Sequence, residues 1–208
     1  MKNCYVIGAG DFAPSVLPEP GDFVIAADGG LAVLRRLNIR PDLIVGDFDS
    51  LGEVPREAQV VRHPVMKDDT DLALAVEEAS ARGCTRFVLN GTLGGRLDHT
   101  LANIQLLRRI AESGGRGVLT GPNECLTAVS GGELRFRGDA EGTVSVFCLG
   151  DRAEGVTLEG LLYPLRDAEL TGDRALGVSN EFTGRPSRIA VRKGTLLVVW
   201  QAGPDKLL

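Results

Sequence analysis

The sequence predicts an α/β fold in two parts: an N-terminal, mainly parallel, three-layer α/β domain followed by a small antiparallel β-sandwich. Three observations carry this expectation. In the first part, short and nearly continuous apolar runs alternate with segments of helical period, the pattern of a parallel sheet covered on both faces. From about Thr127 the helical periods stop and short, partly alternating runs replace them. Glycine then recurs between those runs, at Gly131, Gly138, Gly142, Gly150, Gly155 and Gly160, as turns in a β-rich fold require. The boundary is expected near residues 121–130, which divides the chain into 1–125 and 126–208.

The elements follow in order. Cys4–Ile7 is a short apolar strand ending in Gly8-Ala9-Gly10. Phe23–Ala27 is a second, ending in Asp28-Gly29-Gly30, after which Leu31, Leu34 and Leu37 recur at helical spacing with Pro41 beyond. Leu43–Val45 is a third strand, leading into Gly46-Asp47-Phe48-Asp49-Ser50, and Val60-Val61 is a short fourth. Residues 69–82 read as a helix with Leu72, Val76 and Ala79 on one face and Gly83 as its stop. Arg86–Leu89 is a strand, followed by the loop Gly91-Thr92-Leu93-Gly94-Gly95-Arg96. A second clear helix puts Leu97, Leu101, Ile104, Leu107 and Ala111 on one stripe, and Gly114-Gly115 ends it. In the tail, residues 134–137, 144–147, 156–158, 188–191 and 196–200 read as short strands.

Composition excludes several classes. A chain of 208 residues with 43% hydrophobic and 25% charged residues has enough material for a real core. No apolar run approaches bilayer length, and the N-terminal stretch is too short for a signal peptide, so neither a membrane span nor export is expected. Cys4, Cys84, Cys125 and Cys148 form no CxxC pair, which reads as buried, reduced thiols in a cytoplasmic protein. The net charge is −5 with no basic stripe, so nucleic acid is a poor partner.

The acids are placed rather than scattered. Asp28 ends the second strand, Asp47 and Asp49 follow the third, and Asp68, Asp69 and Asp71 open a helix. In a parallel sheet, strand ends share one rim, where ligand crevices form. Carboxylates gathered there repel unless a cation neutralises them, and an oxygen-only donor set suits magnesium or calcium. Each acid also has a plainer use as a helix cap or dipole partner. The glycine-rich loop at Gly94-Gly95 is either a tight strand-to-helix turn or a phosphate cradle, with Arg96 offering a fork for phosphate oxygens. Asp98 either caps the helix or reaches a metal or substrate group. His63 and His99 are the only histidines and have no partner spacing for zinc. The run Asp47-Phe48-Asp49 also fits an aspartyl-nucleophile phosphatase of the haloacid-dehalogenase type, with Lys67, Asp68 and Asp69 as its further charges.

Taken together, Ala27-Asp28-Gly29-Gly30, residues 41–50, Lys67-Asp68-Asp69-Thr70-Asp71, residues 91–99, residues 160–165 and residues 177–182 resemble the thiamine pyrophosphokinase family in order and spacing. The resemblance implies an α/β catalytic, nucleotide-binding domain over 1–125 and a thiamine-binding β-sandwich over 126–208. It implies transfer of pyrophosphate from ATP to the hydroxyl of thiamine, giving thiamine diphosphate and AMP. The alternatives are the magnesium-dependent phosphatase and, third, a non-catalytic sensor of nucleotide or thiamine. By the same resemblance Asp47, Asp49 and Asp71 are magnesium ligands. Asp71, Asp98 and Arg96 are catalytic, with Asp71 also the candidate to receive the hydroxyl proton. Asp28, Gly29, Thr70, Gly94, Gly95 and Arg96 hold ATP, while Ser179 and Asn180 contact thiamine. The family's homodimer, with an active site shared between two chains, is expected as well. Trp200 ends an apolar run and reads as core, which leaves the aromatic partner of thiamine unassigned.

Overall fold

The computed structural model describes residues 3–46, 58–62 and 69–208. The chain divides into two compact units, one holding residues up to Leu106 together with Leu119–Pro122, the other Leu107–Val118 and Asn123–Leu208.

The first unit is built on β1 (Cys4–Ile7), β2 (Phe23–Ala27), α1 (Gly30–Arg36), β3 (Leu43–Gly46), β4 (Gln59–Arg62), α2 (Asp71–Ala81) and β5 (Arg86–Asn90). Its strands run parallel in the order β5-β1-β2-β3-β4. Both sheet faces are covered, which is why the strands are apolar at successive positions. Tyr5, Ile7, Val24, Ala26 and Ile44 pack with Leu31, Val33 and Leu34 of α1. The alternate positions Cys4, Val6, Ile25, Leu43 and Val45 are equally buried, and α2 packs on β1, β2 and β3. Thr70 caps α2 by accepting the Ala73 amide at 3.2 Å. α3 (Leu97–Glu112) and β6 (Arg116–Thr120) carry the chain between the units.

Chain order explains where a site can form. From β1 the strands step one way through β2, β3 and β4, and the chain then returns to place β5 on the other side of β1. The strand order therefore reverses between β1 and β5, the topological switch point, where open parallel sheets have their ligand crevice.

The second unit holds β7 (Cys125–Ser130), β8 (Glu133–Phe136), β9 (Thr143–Cys148), β10 (Arg152–Glu159), β11 (Leu165–Thr171), β12 (Gly177–Glu181), β13 (Ser187–Ala190) and β14 (Thr195–Trp200). They form two antiparallel sheets, β12-β9-β14-β7 and β11-β10-β13-β8. The inward positions of both share one core, including Val144, Val146, Leu196, Val198, Leu134, Phe136, Val156 and Leu158. At its centre the Phe136 ring stands edge-on to Trp200 at 5.3 Å and tilted to Phe182 at 5.2 Å. Trp200 is fully buried, and its Nε1 donates to Gly203 O at 3.2 Å.

Two sequence expectations change. Leu97 and Leu101 are exposed, at 71% and 54%, because α3 turns a different stripe inward. Arg96, His99 and Asn103 line a cleft, which leaves positions 97 and 101 on the far side of the helix. Ser179 and Asn180, outside every strand expected in the tail, lie within β12, paired to β9 with a register shift between Gly177 and Asn180.

Candidate active site

The loops after β1 and β5 zip together through their main chains. Gly8 N donates to Asn90 O at 2.8 Å, Gly10 N to Gly91 O at 2.7 Å and Asp11 N to Leu93 O at 2.8 Å. Only glycine allows this approach, since a Cβ on Gly8 would stand 2.5 Å from the Gly91 carbonyl oxygen. Asn90, fully buried at the end of β5, ties the same loops further along. Its Oδ1 accepts the amides of Ala13 and Gly91, each at 2.8 Å, and its Nδ2 donates to Ala13 O at 3.0 Å and Val16 O at 2.9 Å.

These loops form one wall of a cleft of about 330 Å³. The wall comprises Gly8, Ala9 and Gly10 after β1 and residues 91–96 after β5. Asp28 enters from the end of β2, Thr70, Asp71 and Leu72 from the start of α2, and His99 and Asn103 from α3. Asp28 adopts a left-handed backbone, φ 45°, with its amide donating to Val45 O at 2.8 Å. Asn103 holds the glycine loop by donating from Nδ2 to Thr92 O at 2.6 Å, and the Thr92 hydroxyl donates to Leu89 O at 2.9 Å.

Arg96 and Asp98 form a two-point pair at the rim, Nε to Oδ1 at 3.1 Å and Nη2 to Oδ2 at 2.5 Å. The Arg96 hydrogen bond, helped by the His99 amide, holds the Asp98 carboxyl below its usual range, and Asp98 raises Arg96 in return. The Asp98 side chain accepts the amide of the next residue, His99, at 2.9 Å, instead of the amides two or three residues further on that a helix cap would take.

The structure thus brings Asp28, Thr70, Asp71, Gly94, Gly95 and Arg96 together on one cleft. Gly29 lies at its edge, where a Cβ would meet the Ala9 side chain at 2.9 Å. Asp98 reaches the rim through Arg96. Asp47, Asp49, Lys67, Asp68 and His63 lie outside the described residues. Sequence reasoning missed the lining roles of Gly8 to Gly10 and of Asn103. A glycine pair directly after the first strand was the available signal for the former. For Asn103 it was an amide one turn before the apolar positions Leu106, Leu107 and Ile110.

In the second unit, Asn180 is 2% exposed and its amide grips the chain at Tyr163. Oδ1 accepts the amides of Tyr163 and Glu181, each at 2.9 Å, and Nδ2 donates to Tyr163 O at 2.7 Å. The ring of Tyr163, by contrast, belongs to a residue 62% exposed. Ser179 beside it is left-handed, φ 58°, and its amide donates to Ser145 Oγ at 3.1 Å.

The cleft's side-chain donors are the carboxylates of Asp28 and Asp71, the Thr70 and Thr92 hydroxyls and the Asn103 amide, with His99 alone supplying a ring nitrogen. Such an oxygen-rich set fits a hard cation. Among the described residues no three His, Cys, Asp or Glu side chains cluster tightly enough to hold a metal.

A parallel sheet whose switch point carries a glycine-walled cleft, an acidic helix start and an exposed arginine defines a phosphate-handling α/β enzyme, here continued by a β-sandwich. Residues 17–118 match the family model described as thiamin pyrophosphokinase, catalytic domain, and residues 133–196 the one described as thiamin pyrophosphokinase, vitamin B1 binding domain. The chain belongs to the thiamin pyrophosphokinase family. Thiamine pyrophosphokinase of Bacillus subtilis (strain 168) is 29% identical over 182 residues, covering 84% of this chain and 85% of its own. Thiamin pyrophosphokinase 1 of Caenorhabditis elegans is 27% identical over 188 residues, covering 84% and 76%. The crystal structure of the Bacillus subtilis enzyme superposes with a TM-score of 0.85 at 25% identity, over 97% of this chain and 99% of its own. That of yeast thiamin pyrophosphokinase shares the fold, with a TM-score of 0.76 at 15% identity over 99% and 87%.

Proposed function

We infer that the chain transfers pyrophosphate from ATP to the hydroxyl of thiamine, releasing AMP. The observation that carries this reading is the cleft at the switch point of a matched catalytic domain, joined in one chain to a matched vitamin B1 binding domain. The thiamine hydroxyl oxygen forms a bond to the β-phosphorus, and the bond from that phosphorus to the α-β bridging oxygen breaks. Little covalent work falls to the protein, so positioning and charge dominate. The main-chain amides of the 91–95 loop and the Arg96 fork are proposed to hold phosphate oxygens, with Asp28, Gly29, Thr70, Gly94 and Gly95 shaping the nucleotide site. Asp98 presents Arg96 and is exchanged for phosphate when nucleotide arrives. Asp71, with Asp47 and Asp49 from the sequence motif, is proposed to hold magnesium. Bound there, the cation neutralises charge on the transferred group.

Ser179 is proposed to meet an edge of thiamine. Asn180 acts through Tyr163, whose exposed ring offers the aromatic face that buried Trp200 and Tyr5 do not. The shared homodimer site is supported by apolar side chains exposed on each unit separately: Leu97 and Leu101 on the first, and Leu162, Tyr163, Leu176 and Val178 on the second. The phosphatase alternative gives way to the match of both parts of the chain to the thiamin pyrophosphokinase models. The sensor alternative gives way to the catalytic-domain match.

The deciding experiment incubates the chain with ATP, magnesium and thiamine. AMP and thiamine diphosphate formed in equal amounts support the reading. ADP as the product, or phosphate released without thiamine, overturns it.

A further inference from the structure

The loop after β5 is pinned at three successive carbonyls. Gly10 N donates to Gly91 O at 2.7 Å and Asp11 N to Leu93 O at 2.8 Å. The carbonyl between them, on Thr92, accepts from Nδ2 of Asn103 on α3 at 2.6 Å. That bond settles which way round the Asn103 amide sits. A carbonyl can only accept, so the nitrogen faces Thr92 and the side-chain oxygen takes the other position. Asn103 is 6% exposed and lines the cleft. Among the described residues its Oδ1 has no hydrogen-bond partner, yet it is not sealed from solvent as the orphan hydroxyl of Thr120 is. A nearly buried side chain on the cleft wall has its remaining accessible surface there, so the cleft meets a fixed acceptor.

We propose that Asn103 reads the sugar of the bound nucleotide, its Oδ1 accepting a hydrogen bond from a ribose hydroxyl. The proposal rests on the reading that this cleft takes ATP. An amide oxygen has no hydrogen to give, so it repels phosphate oxygens and calls for a donor. ATP carries donors in two places, the ribose hydroxyls and the exocyclic amine of adenine. Connectivity decides between them. Asn103 is bonded to Thr92, two residues before Gly94 in the loop proposed to hold phosphate. The ribose is joined directly to the α-phosphate, whereas the amine lies at the far edge of the base. The task differs from that of Arg96, whose exposed fork offers only donors and suits phosphate. The bond to Thr92 also makes the acceptor rigid. The amide cannot turn over without leaving that carbonyl facing an oxygen, so little freedom is lost when the sugar arrives.

The test titrates the intact chain and Asn103→Ala with ATP, 2′-deoxyATP and 3′-deoxyATP in a calorimeter, magnesium present throughout. The wild-type chain should bind one of the two deoxynucleotides about 3–10-fold more weakly than ATP, as the loss of one hydrogen bond requires. Asn103→Ala should bind that deoxynucleotide and ATP alike. Loss of the Thr92 bond alone would weaken all three nucleotides together and keep their ratios, so the ratio separates sugar reading from loop support. Should Asn103→Ala not fold, Asn103→Leu, close to asparagine in shape and without polar atoms, makes the same comparison. Equal binding of all three nucleotides by the wild-type chain overturns the proposal. So does a variant that keeps the wild-type ratio, whether it weakens every nucleotide, as an amide hydrogen on phosphate would, or weakens thiamine, as an oxygen on the thiamine hydroxyl would. If ATP itself does not bind, the nucleotide reading of the cleft falls and the sugar contact with it.

Discussion

Asn180 directs its whole carbonyl and one amide hydrogen to the backbone at Tyr163 and Glu181. A side chain so engaged holds its neighbour in place more than it reads a ligand. Asn180→Ala should cost about 1–3 kcal/mol of stability, because the Tyr163 main chain is left without its partners. It should also raise the Michaelis constant for thiamine with that for ATP nearly unchanged. Tyr163→Phe should keep thiamine binding while Tyr163→Ala weakens it, and steady-state kinetics on the pair separates a ring contact from a hydroxyl contact. Asp98 offers a second residue-scale check. Its carboxyl is depressed chiefly by Arg96, so in Arg96→Ala it should titrate nearer the ordinary carboxylate range, as side-chain carbon NMR would show. The sign follows. A depressed folded-state value means that the pair's contribution is present above the unfolded pKa and is lost as pH falls through the folded one. If Asp98 titrates unchanged in that variant, the rim pair is not what holds it.

At the scale of elements, the β1 and β5 loops depend on main-chain approach. Gly10 illustrates it: a Cβ there would stand 2.5 Å from the Leu93 carbonyl oxygen and 2.9 Å from that of Gly91. Gly10→Ala should therefore push the two loops apart, destabilise the first unit by about 1–3 kcal/mol and weaken ATP binding. Gly21→Ala, at positive φ but with open space, should strain only its own turn and leave ATP kinetics unchanged. The elements legible in the sequence were β1 to β5, all three helices and, in the tail, β8, β9, β10, β13 and β14. β11 and β12 were not. They are the end strands of their sheets, with both faces partly wet, so residues 165–171 and 177–181 lack the alternation that marks a half-buried strand. β6 and β7 straddle the expected domain boundary, with no helix between them to set them apart. Asp28, Asp71, Gly94 and Gly95 followed from acids and glycines at strand and helix ends, Arg96 from its place beside the glycine pair, and Thr70 from the family resemblance. Asn103 did not, because its partner Thr92 becomes its neighbour only when α3 folds back on the loop.

At the scale of the whole molecule, the expected shared site makes a prediction that neither unit alone can satisfy. Mixing chains carrying Asp71→Asn with chains carrying Asn180→Ala should restore part of the lost activity, since one composite site would then hold only wild-type residues. Proven subunit exchange without restoration would exclude the shared site. Excess chelator should abolish turnover and leave the melting curve nearly unchanged, as expected for a cation needed by the reaction and not by the core.

The clamp made by Asn90 has one more consequence, for how the molecule ages. An asparagine followed by glycine is chemically fragile in a loose chain, because the glycine amide can attack the side-chain amide and expel ammonia. Here that side chain is buried and tied to Ala13, Val16 and Gly91, so the attack must wait until the clamp opens. Each opening risks an aspartate at position 90, which at neutral pH has no hydrogen to give to the carbonyls of Ala13 and Val16, so the damaged chain would close less well and open more often. The bond that secures the cleft wall thereby acts as a clock that advances only while the fold is undone.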